Sequence, residues 1–572
     1  MEVRGLQPGP QLHAGCGARR PPARRWRRRR ADAQPPGPCE RGCVRRDGTP
    51  MISQAPAQVP DAITPRRERP RAWAALLAIV LFAAVLRCIF FIGFGVTGDD
   101  IIYAGMSREL LRNGWKAVDL QWGVNYRLGL SVPVALLFRV GGFNDLTYVI
   151  YPLVMSLLSV VLVFLLGRRL FGSAAGLVAA LLVATCPFEA VFGSSMTVDI
   201  ITSCLTAVTV LAFLKARDAA GARWFAYAPL GAAATLIAYM VKEPALYVLP
   251  CLGALTLACI RDRRVFVRDV AFYGVVGTAV AATFAADYWA TGDVLNRLQV
   301  QLPQSGSAVG PLPELLLQYP RWVWRRSPDG TMPFGYLFYA LVPAILYVVA
   351  RRPAGVYVPV LWLSVMVLLL EFFPKQLHPL TVSPRTMRYA DAWVAPTSLI
   401  VAAALDAVRR WHRGAFWACI VLLATSGLVE ARTLHRVWVE PLSDRNDAAG
   451  FLASLPVKPV YSDFWLTARY AFIMQYGPAL PIPSEVHGKQ LQMGVIEKDD
   501  FGTLWTIPKG YVVTGGSRGA GIGMFSVLNL KSNTPPPSWR LLKEIDRPLG
   551  ERRLEPLRIW EVTPARDGAG ER

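Results

Sequence analysis

Two neighbouring carboxylates, Asp99 and Asp100, follow a long apolar segment in the stretch FGVTGDDIIY, and Tyr103 lies three residues further on. Acids at a membrane surface can cap a helix, hold a metal ion, or remove a proton from a substrate. One helix cap needs only one acid, and adjacent carboxylates repel each other, so such pairs tend to be kept where their charge is used. These considerations favour a functional role for Asp99 and Asp100 over a helix cap.

Positively charged side chains stand at other ends of apolar segments. Arg388 and Tyr389 precede such a segment in SPRTMRYADAW, and Lys242 opens the sequence Lys-Glu-Pro between two others. Fixed cations make strong charge-assisted hydrogen bonds to anionic groups, so Arg388 and Lys242 could each hold such a group. The structural alternatives are an interfacial Arg beside a belt Tyr and a local salt bridge between Lys242 and Glu243.

Two further acids occupy similar places along the chain. Asp199 falls in the first turn of a predicted helix, where the helix dipole favours an acid by less than about 1 kcal/mol. It would orient an acceptor or support Asp99, and Glu189 has a comparable position. The predicted substrate-binding residues are therefore Arg388, Tyr389, Lys242, Tyr103, Asp199 and Glu189.

The elements that carry these residues are apolar. Of 572 residues, 53% are hydrophobic and only 18% are charged, with a mean hydropathy of +0.32, which indicates a polytopic membrane protein. The net charge of +22 is concentrated in residues 1–71, with sixteen Arg and six acids, and in short loops beside apolar segments. This distribution fits membrane orientation and argues against nucleic acid as a partner.

The hydropathy pattern predicts an all-α transmembrane domain over residues 71–430. About eleven segments are candidates to cross roughly 30 Å of hydrocarbon. They cover residues 71–95, 145–167, 173–191, 197–214, 224–241, 245–260, 270–289, 333–350, 355–373, 392–408 and 414–430.

Three regions outside the predicted spans have their own character. Residues 1–70 are rich in Arg, Pro and Gly and are expected to form a disordered tail, with Met51 as an alternative start. The stretch IIYAGMSRELLRNGW, residues 101–115 with a stop at Asn113-Gly114, and residues 126–141 are predicted as two interfacial helices. Residues 431–572 mix strand and helix patterns and predict a small α/β domain.

Sidedness follows from the short connections. With the N-terminus inside, the inner loops read GRRLFG, KARDAAGARW, RDRRVFVR, RRP and RRWHR, all basic, as expected for the cytoplasmic side. The candidate residues then gather at the opposite face, where the C-terminal domain would also lie. We therefore expect an extracytoplasmic active site.

The combination of an acidic pair, Tyr103, a helix ending at Asn113-Gly114 and the stretch FLLGRRLFGSAAGLVAALLVATCPF resembles the GT-C superfamily of membrane glycosyltransferases. Its relatives include protein O-mannosyltransferases and aminoarabinose transferases. The family motif in the first outer loop is of the Asp-Glu-x-x-Tyr type, so Asp100 departs from the usual Glu. The family also has an Arg-Tyr pair near the place of Arg388 and Tyr389, and a Lys-x-Pro element like that of Lys242.

The resemblance implies a sugar donor linked to a polyprenyl phosphate, inversion at the anomeric carbon, and a lipid, glycan or protein acceptor. It makes Asp99 the expected general base, with Asp100 assisting it or holding a divalent cation. It also makes Arg388 the leading candidate for a ligand of the donor phosphate and Lys242 the second. It implies a multi-pass protein of the bacterial inner membrane, with membrane lipids as further partners. No cofactor is certain, and a divalent cation is a candidate. Two other classes stay open: a transporter or lipid flippase of the cell envelope, although the sequence shows no persuasive repeat, and a non-catalytic assembly protein.

Overall fold

The computed structural model describes most of one compact unit, Pro65–Arg572. The predicted tail lies outside the described residues, apart from its last three. The described residues are 68–93, 98–118, 126–219, 221–297, 299–300, 318–326, 330–372, 374–377, 380–382, 387–438, 440–456, 458–462, 464–473, 493–495, 509–515, 535, 538–546 and 556–563.

The first fifteen α-helices of the described residues form the predicted membrane domain. Their bounds are α1 (Glu68–Ile89), α2 (Gly98–Asn113), α3 (Leu128–Gly141), α4 (Asp145–Phe171), α5 (Ser173–Ala184), α6 (Pro187–Phe192), α7 (Val198–Asp218), α8 (Trp224–Val241), α9 (Val248–Ala258), α10 (Arg263–Thr291), α11 (Gln318–Trp324), α12 (Leu337–Arg351), α13 (Tyr357–Phe372), α14 (Val394–Trp411) and α15 (Arg413–Trp438).

Seven helical stretches in the described part of the chain are long and apolar enough to cross a membrane; they contain α1, α4, α7, α8, α10, α14 and α15. Helices α3, α5, α9, α12 and α13 are apolar but shorter. The prediction of a polytopic, helical membrane protein is confirmed. Each of the eleven predicted segments overlaps a helix of the structure, although several of these helices begin before or end after the predicted bounds.

One predicted segment, 173–191, is broken into two helices. Helix α5 ends at Ala184, Cys186 is extended, and α6 begins at Pro187. Proline lacks the backbone N–H that a continuing helix needs and pushes the preceding residue out of the helical region. The break places α6 and the turn before α7 at the end of the bundle where Asp199 lies.

Close helix packing in the core depends on small residues. A Cβ atom on Gly176 of α5 would lie 2.7 Å from the Phe164 carbonyl oxygen of α4, and one on Gly167 would lie 2.8 Å from the Gly176 Cα atom. Glycines at such a crossing let two membrane helices approach backbone to backbone. The α4–α5 pair therefore forms a tightly packed part of the core, which also contacts α7 and α14.

The C-terminal residues form a small mixed sheet with two helices, α16 (Glu440–Ala453) and α17 (Phe464–Ile473). The sheet has the order β4-β3-β5-β7-β6; β3 pairs in parallel with β4 and β5, and the remaining pairs are antiparallel. A separate hairpin, β1–β2, follows α13. The strands are β1 (Pro374–Leu377), β2 (Leu380–Val382), β3 (Val460–Ser462), β4 (Met493–Val495), β5 (Gly510–Thr514), β6 (Trp539–Ile545) and β7 (Leu557–Val562).

A charged cluster joins the ends of this sheet's antiparallel strands. Glu561 of β7 accepts a hydrogen bond from Lys458 and another, at 2.5 Å, from Arg540 of β6. The hydrogen bond from Lys458 is the largest cause that lowers the pKa of the Glu561 carboxyl, and Arg540 adds to it. The same contact raises the pKa of Lys458.

Candidate functional site

Four of the predicted site residues meet at one end of the helix bundle. Asp199 lies in the first turn of α7, Lys242 directly follows α8, and Arg388 and Tyr389 lie in the 3-10 helix Met387–Trp393 that leads into α14. The Lys242 ammonium donates a hydrogen bond to Asp199 Oδ1, and Arg388 Nε lies 3.6 Å from Asp199 Oδ2. One carboxylate is therefore placed between two cations.

Local sequence explains how Lys242 reaches this position. Helix α8 ends at Val241, and Lys242, the residue after it, is extended, with φ −161° and ψ 134°. The lysine side chain pairs with Asp199, 43 positions away in the chain, and not with its neighbour Glu243 as the local alternative proposed. The salt bridge thus joins the end of α8 to the beginning of α7.

The ring of Tyr389 completes the cluster. Lys242 Nζ lies 3.6 Å from the ring centroid and Arg388 Cζ lies 5.9 Å from it, both within the range of cation–π attraction. The side chains of Lys242 and Asp199 are only 6% and 7% exposed, whereas that of Arg388 is 28% exposed. Arg388 is therefore the cation of the cluster that an anionic ligand reaches most directly.

A small cleft opens beside this cluster. One part of its wall carries the hydroxyl groups of α7, and another carries the apolar side chains of α13. Its lining residues are Asp199, Thr202, Ser203, Thr206, Lys242, Pro244, Met366, Leu370, Tyr389 and Ala392. The cleft therefore brings charged, hydroxyl and apolar side chains together.

Asp391 is a buried acid of the same 3-10 helix that the sequence analysis did not single out. It is 1% exposed, and neither carboxylate oxygen has a hydrogen bond of normal geometry among the described residues, although Ser203 of the cleft wall lies beside it. The signal was present in the sequence: an acid three residues after Arg388, directly before an apolar segment, is costly unless it is used.

Asp100 belongs to a second set of contacts, on α2. The side chain of Asp99 lies outside the described residues. Asp100 is fully buried, and its backbone carbonyl accepts a hydrogen bond of 2.5 Å from the hydroxyl of Tyr148 in α4. Tyr103 is buried too, and Arg127 both hydrogen-bonds its hydroxyl and lies 5.2 Å from its ring centroid. The end of α2 at Asn113 is as predicted.

Glu189 is held by a buried network away from the lining of the cleft. Its carboxylate accepts a hydrogen bond from Ser156 of α4 and lies 3.6 Å from Nη2 of Arg87. Arg87 is fully buried in α1 and also donates to Ser156 and to the Ala184 carbonyl. These contacts tie α1, α4, α5 and α6 together, which favours a structural role for Glu189; its role in substrate binding stays a prediction.

A metal site needs several ligating side chains close together. Within the part of the chain that the structure describes, no three His, Cys, Asp or Glu side chains come together as metal ligands. The cation predicted at Asp100 therefore stays a prediction, and we assign no chemical step to it.

Comparison with known proteins places this geometry in a known fold. The family model described as dolichyl-phosphate-mannose-protein mannosyltransferase matches residues 132–289. The crystal structure of ArnT from Cupriavidus metallidurans in the apo state superposes with a TM-score of 0.56 at 13% identity, covering 86% of this chain and 98% of that chain. No curated protein matches the sequence.

The same ArnT bound to undecaprenyl phosphate superposes with a TM-score of 0.52 at 14% identity, covering 87% of this chain and 99% of that chain. At this level of identity the likeness establishes the fold. The chain has the GT-C fold of ArnT, and the resemblance predicted from the sequence is confirmed.

Proposed function

We propose that the protein is a membrane glycosyltransferase that moves a sugar from a polyprenyl phosphate carrier to an extracytoplasmic acceptor, with inversion at the anomeric carbon. The observation that carries the proposal is the placement of Asp199 between Lys242 and Arg388 beside an amphipathic cleft, in a chain with the ArnT fold. A relative with this fold has been crystallised with undecaprenyl phosphate, which supports a lipid-linked donor.

The cleft provides a place for both parts of such a donor. Its phosphate would meet Lys242 in the cleft wall and Arg388, the more exposed cation of the same cluster, in a setting where fixed positive charge needs no reorganisation. Its lipid chain would lie along the apolar wall formed by Met366 and Leu370. Asp199 would hold the two cations in place, and Tyr389 would support them.

The reaction needs one base and no strong acid. The acceptor hydroxyl gives its proton to Asp99 while its oxygen forms a bond to the anomeric carbon, and the bond from that carbon to the phosphate oxygen breaks. The leaving group is a phosphate, which carries the charge away without protonation and is stabilised by Arg388. General base catalysis of this kind contributes about 10² to 10⁴ in rate, and the anomeric carbon takes on oxocarbenium character.

Asp100 supports Asp99 in this proposal or holds a divalent cation beside it. The basic loops at the other ends of the helices support a location in the bacterial inner membrane with the site and the C-terminal domain outside the cytoplasm. The acceptor is a lipid, a glycan or a protein, and the transferred sugar is a hexose or a pentose.

The test is transfer by the purified protein in liposomes, supplied with radiolabelled polyprenyl-phosphate hexose or pentose and a cell-envelope extract as acceptor. We expect transfer from one of the two donors, and a loss of at least about 100-fold in kcat/KM for Arg388→Ala, as for other transition-state charge contacts. Arg351→Ala, at the far end of α12, is the matched control. Equal transfer by Arg388→Ala and the control would overturn the proposal.

A further inference from the structure

Helix α17 of the C-terminal domain contacts the first turn of α4 through two pairs of side chains. Arg469 forms a two-pronged salt bridge with Asp145, with N–O distances of 2.5 and 2.7 Å. The ring of Phe472 packs edge-on against that of Tyr148, with centroids 6.1 Å apart. The paired residues are three positions apart on each helix, so that one turn of α17 is in register with one turn of α4.

The same turn of α4 touches the chain on both sides of residues 94–99. A Cβ atom on Gly93 would lie only 3.4 Å from Cβ of Asp145, and Gly93 has a φ of +73°, which suits glycine. On the other side, the hydroxyl of Tyr148 donates its hydrogen bond to the backbone carbonyl of Asp100. Asp145 and Tyr148 are thus shared between the acid-bearing segment and the C-terminal domain.

We propose that α17 positions the acid pair: Arg469 and Phe472 act through Asp145 and Tyr148 to fix the backbone at Asp100. The inference rests on the proposed function of the acids as the catalytic base and its neighbour. Phe472 and Tyr148 are 5% and 0% exposed, and Phe138 packs against both rings, so this contact is buried from solvent. These residues are positioning residues, since each acts on the acids through another.

The geometry of catalysis sets an upper limit on the expected loss of rate. A base must lie within hydrogen-bond reach of the proton that it removes, and displacement of a catalytic group by about 1 Å can cost about 100-fold in rate. If the contact between α17 and α4 only held the C-terminal domain against the membrane domain, its loss would lower stability. It would leave the turnover of the folded enzyme unchanged. Turnover measured separately from donor binding therefore distinguishes the two roles.

The decisive variant is Tyr148→Phe, which keeps the ring and its packing and removes only the hydroxyl that holds Asp100. We expect kcat to fall about three- to tenfold, the effect of one hydrogen bond, with the KM for the donor unchanged. Tyr151→Phe, one turn further along α4, is the matched control and should transfer at the normal rate. Equal kcat values for the two variants would overturn the inference.

A second readout does not depend on transfer. Hydrogen exchange of the peptide covering residues 98–106 should become at least about fivefold faster in Tyr148→Phe and in Arg469→Met than in Tyr151→Phe. The effects of Asp145→Asn and Arg469→Met on this exchange should not add, because each removes the same ion pair. Unchanged exchange in these variants would contradict the proposal that α17 fixes the backbone at Asp100.

The two readouts separate this inference from the proposed function. If Asp99→Asn and Asp100→Asn both transfer normally, the proposed function fails, and exchange at residues 98–106 still decides whether α17 fixes the backbone. If Asp99→Asn is inactive while Tyr148→Phe matches its control in both kcat and exchange, the proposed function stands. The inference that α17 positions the acid pair is then wrong.

Discussion

The ammonium of Lys242 and the carboxylate of Asp199 form a buried salt bridge that joins the end of α8 to the beginning of α7. Burying two charges costs free energy that only good geometry and further partners return. Here the further partners are Arg388 and the ring of Tyr389. The cost is understandable if the cluster serves a ligand, because a purely apolar contact would hold the two helices together as well.

This view predicts that stability and activity separate at the salt bridge. Asp199→Asn leaves the Lys242 ammonium buried without its partner and should destabilise the protein by about 3–5 kcal/mol. The double variant Asp199→Leu with Lys242→Met should recover most of this stability and remain inactive. Thermal melting in detergent and donor transfer measure the two effects, and an active double variant would show that the pair is only structural.

Arg87 and Glu189 provide the structural counterpart. Arg87→Met leaves a buried carboxylate without its cation and should lower the free energy of unfolding by about 3–5 kcal/mol. Adding Glu189→Gln should restore stability and, in contrast to the Asp199 pair, activity as well. Melting and transfer assays of the single and double variants check this. A stable but inactive double variant would return Glu189 to the set of substrate-binding residues.

The crossing of α4 and α5 predicts a sensitive glycine. Gly176→Ala would place a methyl group 2.7 Å from a backbone oxygen and 2.8 Å from a backbone nitrogen of α4, so the helices must move apart. We expect a loss of about 1–3 kcal/mol in stability. Gly274→Ala on α10 meets no atom within 4 Å and is the control; equal melting temperatures of the two variants would contradict the close packing.

The C-terminal sheet should respond to pH through Glu561. The pKa of this carboxyl is lower in the folded protein than its ordinary value of 4.5, so its contribution to stability is complete above about pH 4.5 and is lost as the pH falls through the folded pKa. For Lys458 the pKa is raised from 10.5, and its contribution is lost only as the pH rises through the folded value.

Glu561→Gln should therefore melt at a lower temperature than the wild type at pH 7 and approach it at pH 3. A difference between the two proteins that does not change with pH would show that the carboxylate charge is not what holds Lys458 and Arg540. Glu544→Gln in the neighbouring strand, which pairs with the single cation Arg558, is the control.

The helical framework was largely predictable because hydropathy acts locally, and eleven apolar segments became helices. The break before Pro187 was missed, because residues 173–191 were predicted as one segment although proline cannot continue a helix. The pairing of Lys242 with Asp199 was not, because no spacing rule links residues 43 positions apart on different helices. Arg87 had a signal that was overlooked: a charge inside an apolar span needs a buried partner.

Asp199, Lys242, Arg388 and Tyr389 were identified from their places at the ends of apolar segments, and the structure brings these four together. Their shared role could not be read from the chain alone, because it depends on how α7, α8 and α14 pack. The tie between α17 and α4 was equally hidden, since Arg469 and Asp145 are 324 positions apart.

We propose that Arg388 and Lys242 bind the donor phosphate, whereas Asp99 removes the proton of the acceptor. The most direct test measures polyprenyl phosphate binding and sugar transfer side by side in Asp99→Asn. We expect binding equal to that of the wild type and kcat lower by about 10² to 10⁴, because only the base is lost. Transfer at a near-normal rate by Asp99→Asn would contradict the account.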